Sequence, residues 1–185
     1  MKFPSKNQQK SYKVKAYKSF ETERLLLRPS TVQDAPFVFK LLNSPKWLKN
    51  IGDRNVKSVA DAEHYIKEKM LPQLERLGFG NYFVIRKSDG VMMGSCGLYD
   101  RDGLEGVDIG FAFLPEYEGK GYGYESALRI KEAGFNEFGI TKISAITSKG
   151  NLGSQKLIEK LGLTFQKMIT LPDDDEELMF YSIEV

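Results

Sequence analysis

Residues 119–124 read Gly-Lys-Gly-Tyr-Gly-Tyr, with glycine at every second position and an apolar helical pattern directly behind. Glycine takes positive φ at no steric cost and lets a ligand come close to the main chain. Suppose the amides of Gly119, Lys120, Gly121, Tyr122, Gly123 and Tyr124 turn into one concavity beside the positive end of a helix. They then form a seat for a phosphate or a diphosphate. Glycines at a strand-to-helix junction can also do no more than turn the chain, so the neighbouring residues must decide.

Two phosphate readings fail on spacing. A Walker loop needs Gly-x-x-x-x-Gly-Lys-Ser/Thr, but Lys120 is followed by Gly121, with no hydroxyl at the metal position. A dinucleotide fingerprint belongs to the first βαβ unit, whereas this loop follows an antiparallel run. An acyl-coenzyme A diphosphate loop fits its neighbours best.

The strand leading into the loop, residues 107–114, alternates in an informative way. Val107, Ile109, Phe111 and Phe113 make one bulky face, while Asp108, Gly110 and Ala112 make the other. A nearly bare strand face is expected where a ligand or another backbone comes close. Behind the loop, Ala127, Leu128, Ile130, Gly134, Phe135 and Phe138 form the apolar stripe of a helix.

The remaining elements follow from period and punctuation. Residues 24–30 read as a strand. Thr31 and Asp34 then make a capping box for a helix with Phe37, Val38, Leu41 and Leu42 on its apolar face. Residues 44–55 read as a loop. Ser58 and Asp61 open a second helix, which Pro72 breaks or kinks and Gly78 ends. Residues 81–87 and 91–100 make a hairpin about Ser88-Asp89-Gly90, and 142–147 is a short strand. Asn151 caps the next helix, Gly162 stops it, and a last hairpin turns through the acidic run 173–177. The order β-α-α-β-β-β-α-β-α-β-β predicts a mixed α/β domain, a central sheet of about seven strands flanked by about four helices.

Composition sets the frame. The chain has 185 residues, 41% of them apolar and 12% aromatic, which suits one globular domain over 20–185. No apolar run approaches the ~20 residues of a membrane span, and no apolar stretch follows the lysines near the start, so neither a membrane anchor nor a secretory signal is expected. Cys96 is the single cysteine, which points to a reducing, cytoplasmic setting and a monomer or homodimer. Six lysines and no acid fall in the first 20 residues, so 1–19 reads as a basic extension. It suits either contact with a ribosome or a solvated terminus, and alternation over 11–18 allows an added edge strand.

Residues 109–127, followed in order by Asn-Leu-Gly-Ser-Gln-Lys-Leu-Ile-Glu-Lys-Leu-Gly-Leu (151–163), resemble the GNAT superfamily of N-acetyltransferases. With Thr-Glu-Arg-Leu-Leu-Leu-Arg-Pro (22–29), the likeness is greatest to the Rim-type ribosomal-protein acetyltransferase subgroup and covers about residues 20–184. In that family the loop opens with Gln or Arg; here it opens with Glu118, which is expected to point away from phosphate. Gly123 and Tyr124 replace the usual Ala and Thr.

The resemblance implies a mostly antiparallel, twisted sheet and an enzyme that moves acetyl from acetyl-CoA to a primary amine by direct attack, without a metal. At pH 7 a lysine amine is neutral in only about 0.04% of copies, and an α-amine in roughly 10–20%. A protein N-terminus therefore needs little help from a base and is the favoured acceptor. A small amine, such as a polyamine or amino sugar, is the alternative, weakly favoured by the acidic run. A non-catalytic acyl-CoA-binding module is the other.

Asp108 and Glu105 are the candidate general bases, Asp108 acting through a water. The N–H groups of Phe113 and Leu114 are the expected donors to the thioester oxygen. Ser154 either caps its helix or assists the departing thiolate, and Asn151 caps while touching the pantetheine arm. Glu125, in a first helical turn, supports the loop by accepting from its amides. Trp47 lies in the segment that walls the acceptor pocket, where it packs against substrate or core. His64 reads as a surface residue and Cys96 as a small core residue. The acidic run has no His or Cys beside it to suggest a metal.

Overall fold

The structure, a computed structural model, describes residues 17–104, 106–172 and 175–185. Most of the basic extension, the edge strand expected within it, and Glu105 lie outside the described residues.

One eight-stranded sheet runs through the molecule in the order β1-β2-β3-β4-β5-β6-β8-β7. Its strands are Phe20–Glu21 (β1), Leu25–Pro29 (β2), Asn81–Arg86 (β3), Met92–Tyr99 (β4), Val107–Phe113 (β5), Lys142–Ser148 (β6), Thr164–Ile169 (β7) and Leu178–Glu184 (β8). Every neighbouring pair is antiparallel except β5 with β6. The eighth strand, absent from the sequence reading, is β1. Two residues are too few to show a period of two, so only pairing with Leu26 and Leu27 reveals it.

Helices cover both faces. Ala35–Leu42 (α1), Pro45–Asn50 (α2), Val59–Tyr65 (α3) and Leu71–Leu77 (α4) lie between β2 and β3; Tyr122–Glu137 (α5) and Leu152–Lys160 (α6) follow later. Strand alternation divides the core into two. Tyr82, Val84, Ile109 and Phe113 pack with Ala127, Ile130 and Ala133 of α5 and Ile158 of α6. Phe83 and Leu114 point the other way, toward Val38 and Leu41 of α1 and Ala62 of α3. At Gly134 a Cβ would stand 2.8 Å from Ile143 Cδ1, so the bare position lets α5 settle on the sheet.

Capping follows the sequence signals. Asp34 Oδ2 accepts from the Thr31 N–H at 2.8 Å, and the carboxylate also holds Arg28 through two bonds of 2.8 and 2.6 Å. Burial would raise the Asp34 carboxyl, but Arg28 and Thr31 together outweigh it and hold it below its ordinary value. Ser58 Oγ accepts from the Asp61 N–H at 3.1 Å.

The second helix is indeed interrupted: Ile66–Met70 widens into a π-turn before α4, which ends at Gly78 with φ 80°. Pro72 has no N–H for the carbonyl four residues back, and its ring crowds that carbonyl, so the wider turn accommodates both. Residues 45–50, expected as loop, form α2. Ser44 in extended conformation followed by Pro45 at the first helical position is the start signal that the loop reading overlooked.

Candidate active site

The site begins where two strands part. β5 pairs with β4 from Asp108 to Phe113, but with β6 only at Val107↔Ile143 and Asp108↔Ser144. Beyond that vertex β6 stays with β8 and leaves one edge of β5 open. The Leu114 N–H is taken by the Met93 carbonyl of the β4 side at 2.9 Å. Because N–H groups alternate sides along a strand, those of Phe111 and Phe113 face the open edge. Of the two expected oxyanion donors, Phe113 is therefore free and Leu114 is not. The Leu114 side chain is buried in the second core cluster instead.

From β5 the chain makes a single 3₁₀ turn, Pro115–Tyr117, and enters the glycine loop. Gly119 has φ 70° and Gly121 has φ 83°, left-handed values that suit glycine and turn the loop sharply into α5. A Cβ at Gly119 would meet nothing within 4 Å, so that position opens into free space.

Arg24 braces the loop from behind. Its Nη1 donates to the Lys120 carbonyl at 3.2 Å, and its guanidinium lies 4.6 Å from the centre of the Tyr122 ring. Glu125 does not cap the loop amides as expected. It accepts from Thr22 Oγ1 at 2.5 Å, the Arg24 N–H at 3.0 Å and Arg24 Nε at 2.7 Å. These donors overcome the effect of burial and hold its carboxyl low. Glu125 thus supports the loop indirectly, through Arg24.

The opposite wall is the start of α6. Asn151 Oδ1 accepts from the Ser154 N–H at 3.2 Å, the N-cap read from the sequence. Gln155 Nε2 donates to the carbonyls of Ser148 and Lys149 and fastens the turn before it. α2 supplies a third wall. Together these parts enclose a cleft of about 580 Å³, within the usual range for a small-molecule site.

Phe113, Gly119, Gly123, Asn151 and Ser154 all line this cleft. Lys120, Gly121, Tyr122 and Tyr124 do not, and they shape the loop from outside. Lys120 Nζ donates to the Glu116 carbonyl at 2.9 Å, Tyr122 is buried in the core, and Tyr124 lies under Lys160 Nζ at 4.0 Å. Glu118 does not point away: it lines the cleft, ion-paired to Lys46 of α2. Trp47 lines the same wall, and its Nε1 has no hydrogen-bond partner.

Asp108 stands at the vertex, only 1% exposed and off the cleft wall. Its Oδ2 accepts from Arg101 Nε at 3.2 Å and Nη2 at 2.9 Å, while Oδ1 has no hydrogen-bond partner among the described residues. Burial pushes its carboxyl up to about 6, with Arg101 opposing the rise. The bare face at Gly110 has a different cause from the one expected. A Cβ there would stand 2.9 Å from the Tyr99 ring, so a tyrosine covers it rather than a ligand. Cys96 is fully buried and its thiol is pushed up to about 12 by desolvation, which makes it inert. His64 is exposed on α3.

Sequence reasoning missed Lys46, Arg24 and Arg101. The Ser44-Pro45 start signal could have placed Lys46 on a helix. Arg24 acts across about a hundred residues, and Arg101 reaches Asp108 across a turn of seven that carries no periodic mark.

A GNAT-type acetyltransferase domain model matches residues 24–164. An uncharacterized N-acetyltransferase of Bacillus subtilis (strain 168), YnaD, is 26% identical over 166 residues, spanning 88% of this chain and 94% of that protein. A GNAT acetyltransferase structure from Bacillus anthracis superposes with a TM-score of 0.75 at 23% identity, covering 90% of this chain and 98% of that one. RimL, a ribosomal L7/L12 α-N-protein acetyltransferase solved with coenzyme A, gives a TM-score of 0.75 at 16% identity, covering 89% and 96%.

Proposed function

Because the chain belongs to the GNAT family of acetyltransferases, with acetyl-CoA as acyl donor, we propose that its acceptor is a protein N-terminal α-amine. One observation carries this reading. Among the described residues, Glu118 is the only carboxylate on the cleft wall, and Lys46 neutralises it. A lysine or polyamine acceptor, almost wholly protonated at neutral pH, would require a free base where it docks. An α-amine, neutral in roughly 10–20% of copies, needs no base in direct contact and is served by one reached through water, as Asp108 behind the wall would be. RimL, which shares the fold, is named for the same acceptor class.

The donor fits the walls. Gly119, Gly121 and Gly123 keep the loop open for a diphosphate beside the start of α5, and the unpaired edge of β5 offers main-chain groups to an extended arm. Acetyl-CoA supplies the thioester. The Phe113 N–H stabilises negative charge on the thioester oxygen as the C–N bond forms. The Ser154 hydroxyl faces the site of C–S cleavage and steadies the thiolate. With a thiol leaving group near pKa 8.5, that help is modest. Asp108 takes the amine proton through a water, Oδ1 being its free oxygen. Asn151 fixes the α6 turn that carries Ser154.

An acceptor panel read by thiol release tests the assignment. A lysine-free peptide with a free N-terminus should turn over. The same peptide N-acetylated and carrying one lysine should not, and spermidine should be poor. Faster turnover of spermidine or of the lysine peptide would overturn the reading.

A further inference from the structure

Asp108 is the buried acid of the site, and four elements meet around it. β4 brings Tyr99, its register partner across the sheet. The 100–106 connection brings Arg101, and α3 brings Tyr65 within electrostatic reach of that guanidinium. β6 brings Ser144, whose hydroxyl donates to the Val107 carbonyl at 3.2 Å and so leaves the carboxylate alone. Burial raises both phenols, which therefore stay neutral where Asp108 titrates. Among the described residues, Arg101 is the only cation that engages the acid, through two donors on a single oxygen.

That asymmetry is informative. A bidentate guanidinium normally spans both carboxylate oxygens, as Arg28 does with Asp34. Arg101 uses Oδ2 alone; the Ile146 N–H of β6 approaches the carboxylate and favours its charged form, but it falls short of a full hydrogen bond, so Oδ1 is buried without a partner among the described residues. Leaving such an oxygen unsatisfied is a net loss in a purely structural role. An oxygen reserved for a proton in transit has a reason to be left so. The Arg101 side chain is 36% exposed against 2% for Asp108, so the cation links the buried acid to the surface.

We infer that Arg101 is a positioning residue for acetyl transfer: it holds Asp108 as a carboxylate with Oδ2 engaged and Oδ1 left to receive the acceptor's proton. The inference rests on the reading of Asp108 as base. In the balanced step the amine nitrogen forms the C–N bond and its proton passes through water to Oδ1. The C–S electron pair leaves on sulfur, and Arg101 offsets the carboxylate charge before the proton arrives.

The test is the pH profile of kcat/KM with an N-terminal peptide and acetyl-CoA. Wild type should show two acid limbs, one at about 7.8 from the α-amine of the free peptide and, below it, one near 6 from the enzyme. Arg101→Gln should move that limb upward by about one unit or more, since an adjacent opposite charge lowers a carboxyl by roughly that much. Arg101→Lys should bring it part of the way back, and KM for acetyl-CoA should not change. A merely structural ion pair would lower melting temperature but leave the limb in place, which overturns the inference.

Melting temperature against pH supplies a readout without catalysis. Arg101→Gln should steepen the loss of stability as pH rises through about 6, and this difference should vanish in an Asp108→Asn background. An inactive Asp108→Asn with an unmoved limb in Arg101→Gln sinks this inference alone. An Asp108→Asn enzyme with wild-type kcat/KM and limb removes the base assignment, and this inference with it. Neither outcome touches the α-amine reading, which the acceptor panel decides.

Discussion

The two sides of the cleft are built from different materials. On one side, the open edge of β5, the glycine loop and the start of α6 present mostly main chain, with Phe113, Gly119, Gly123 and Gly150 on the wall. On the other, α2 presents side chains, its Lys46 ion-paired to Glu118, and behind the wall Arg101 holds Asp108. Main-chain recognition depends on conformation, so it tolerates few substitutions at the glycines. Side-chain recognition depends on charge, so it can be retuned by single replacements. One cleft thereby joins a wall fixed by conformation to a wall adjustable by charge.

The largest effect expected from breaking this contrast is at Gly121. Its φ of 83° disfavours any residue with a Cβ, and a Cβ there would come within 3.2 Å of Arg24 Nη2. Gly121→Glu adds a carboxylate beside the diphosphate seat as well. Acetyl-CoA affinity should fall at least about 100-fold, combining backbone strain of ~1–3 kcal/mol with charge repulsion. Isothermal titration reads this directly, and unchanged affinity would remove the loop from the donor site.

A second contrast lies between two buried acids. Asp34 is held low and Asp108 high, so their linkage to folding has opposite sign. Asp34 contributes stability that is present above its unfolded pKa and lost as pH falls. Asp108 favours the folded state at low pH and costs stability as pH rises from about 4 to about 6. Asp34→Asn should cost about 3 kcal/mol at neutral pH, the low end for a broken buried pair because Arg28 is partly exposed, and less in acid. Asp108→Asn should instead flatten the decline on the other side. Chemical denaturation at several pH values separates them, and parallel curves for the two variants would refute the assigned signs.

Smaller effects sharpen the chemistry. Ser154→Ala should lower kcat by about 3–10-fold without changing peptide KM, because thiolate is already a good leaving group. A loss beyond ~100-fold would make the hydroxyl essential instead. Smallest is Glu118→Gln, which frees Lys46 and removes one negative charge from the wall. Acetyl-CoA should bind about 2–5-fold tighter at low salt, in keeping with an exposed pair worth under ~1 kcal/mol, and the gain should shrink at high salt. Weaker binding would mean that the Lys46–Glu118 pair helps to form the site.

What could be read from the sequence follows the same division. The bulky face of 107–113, the positive φ of Gly119 and Gly121, the Asn151 cap and the Thr31/Asp34 box are local signals, and each appears in the structure. The failures are long-range or too short. β1 has two residues and no period. Glu125 finds its partners about a hundred residues away, at Thr22 and Arg24. The bareness of Gly110 reads as room for a ligand or another backbone, because nothing in the sequence places Tyr99 over it. Local order therefore marks the main-chain wall of the cleft, whereas tertiary pairing alone joins the charged wall to it.

Amide hydrogen exchange of the wild-type protein with and without coenzyme A tests the central claim most directly. Slowed exchange is expected at Phe111, Phe113 and residues 119–124, and around Asn151–Ser154, with little change on the α1–α4 face away from the cleft. Protection that spares the glycine loop and the open edge of β5, or that falls elsewhere on the molecule, would contradict the account.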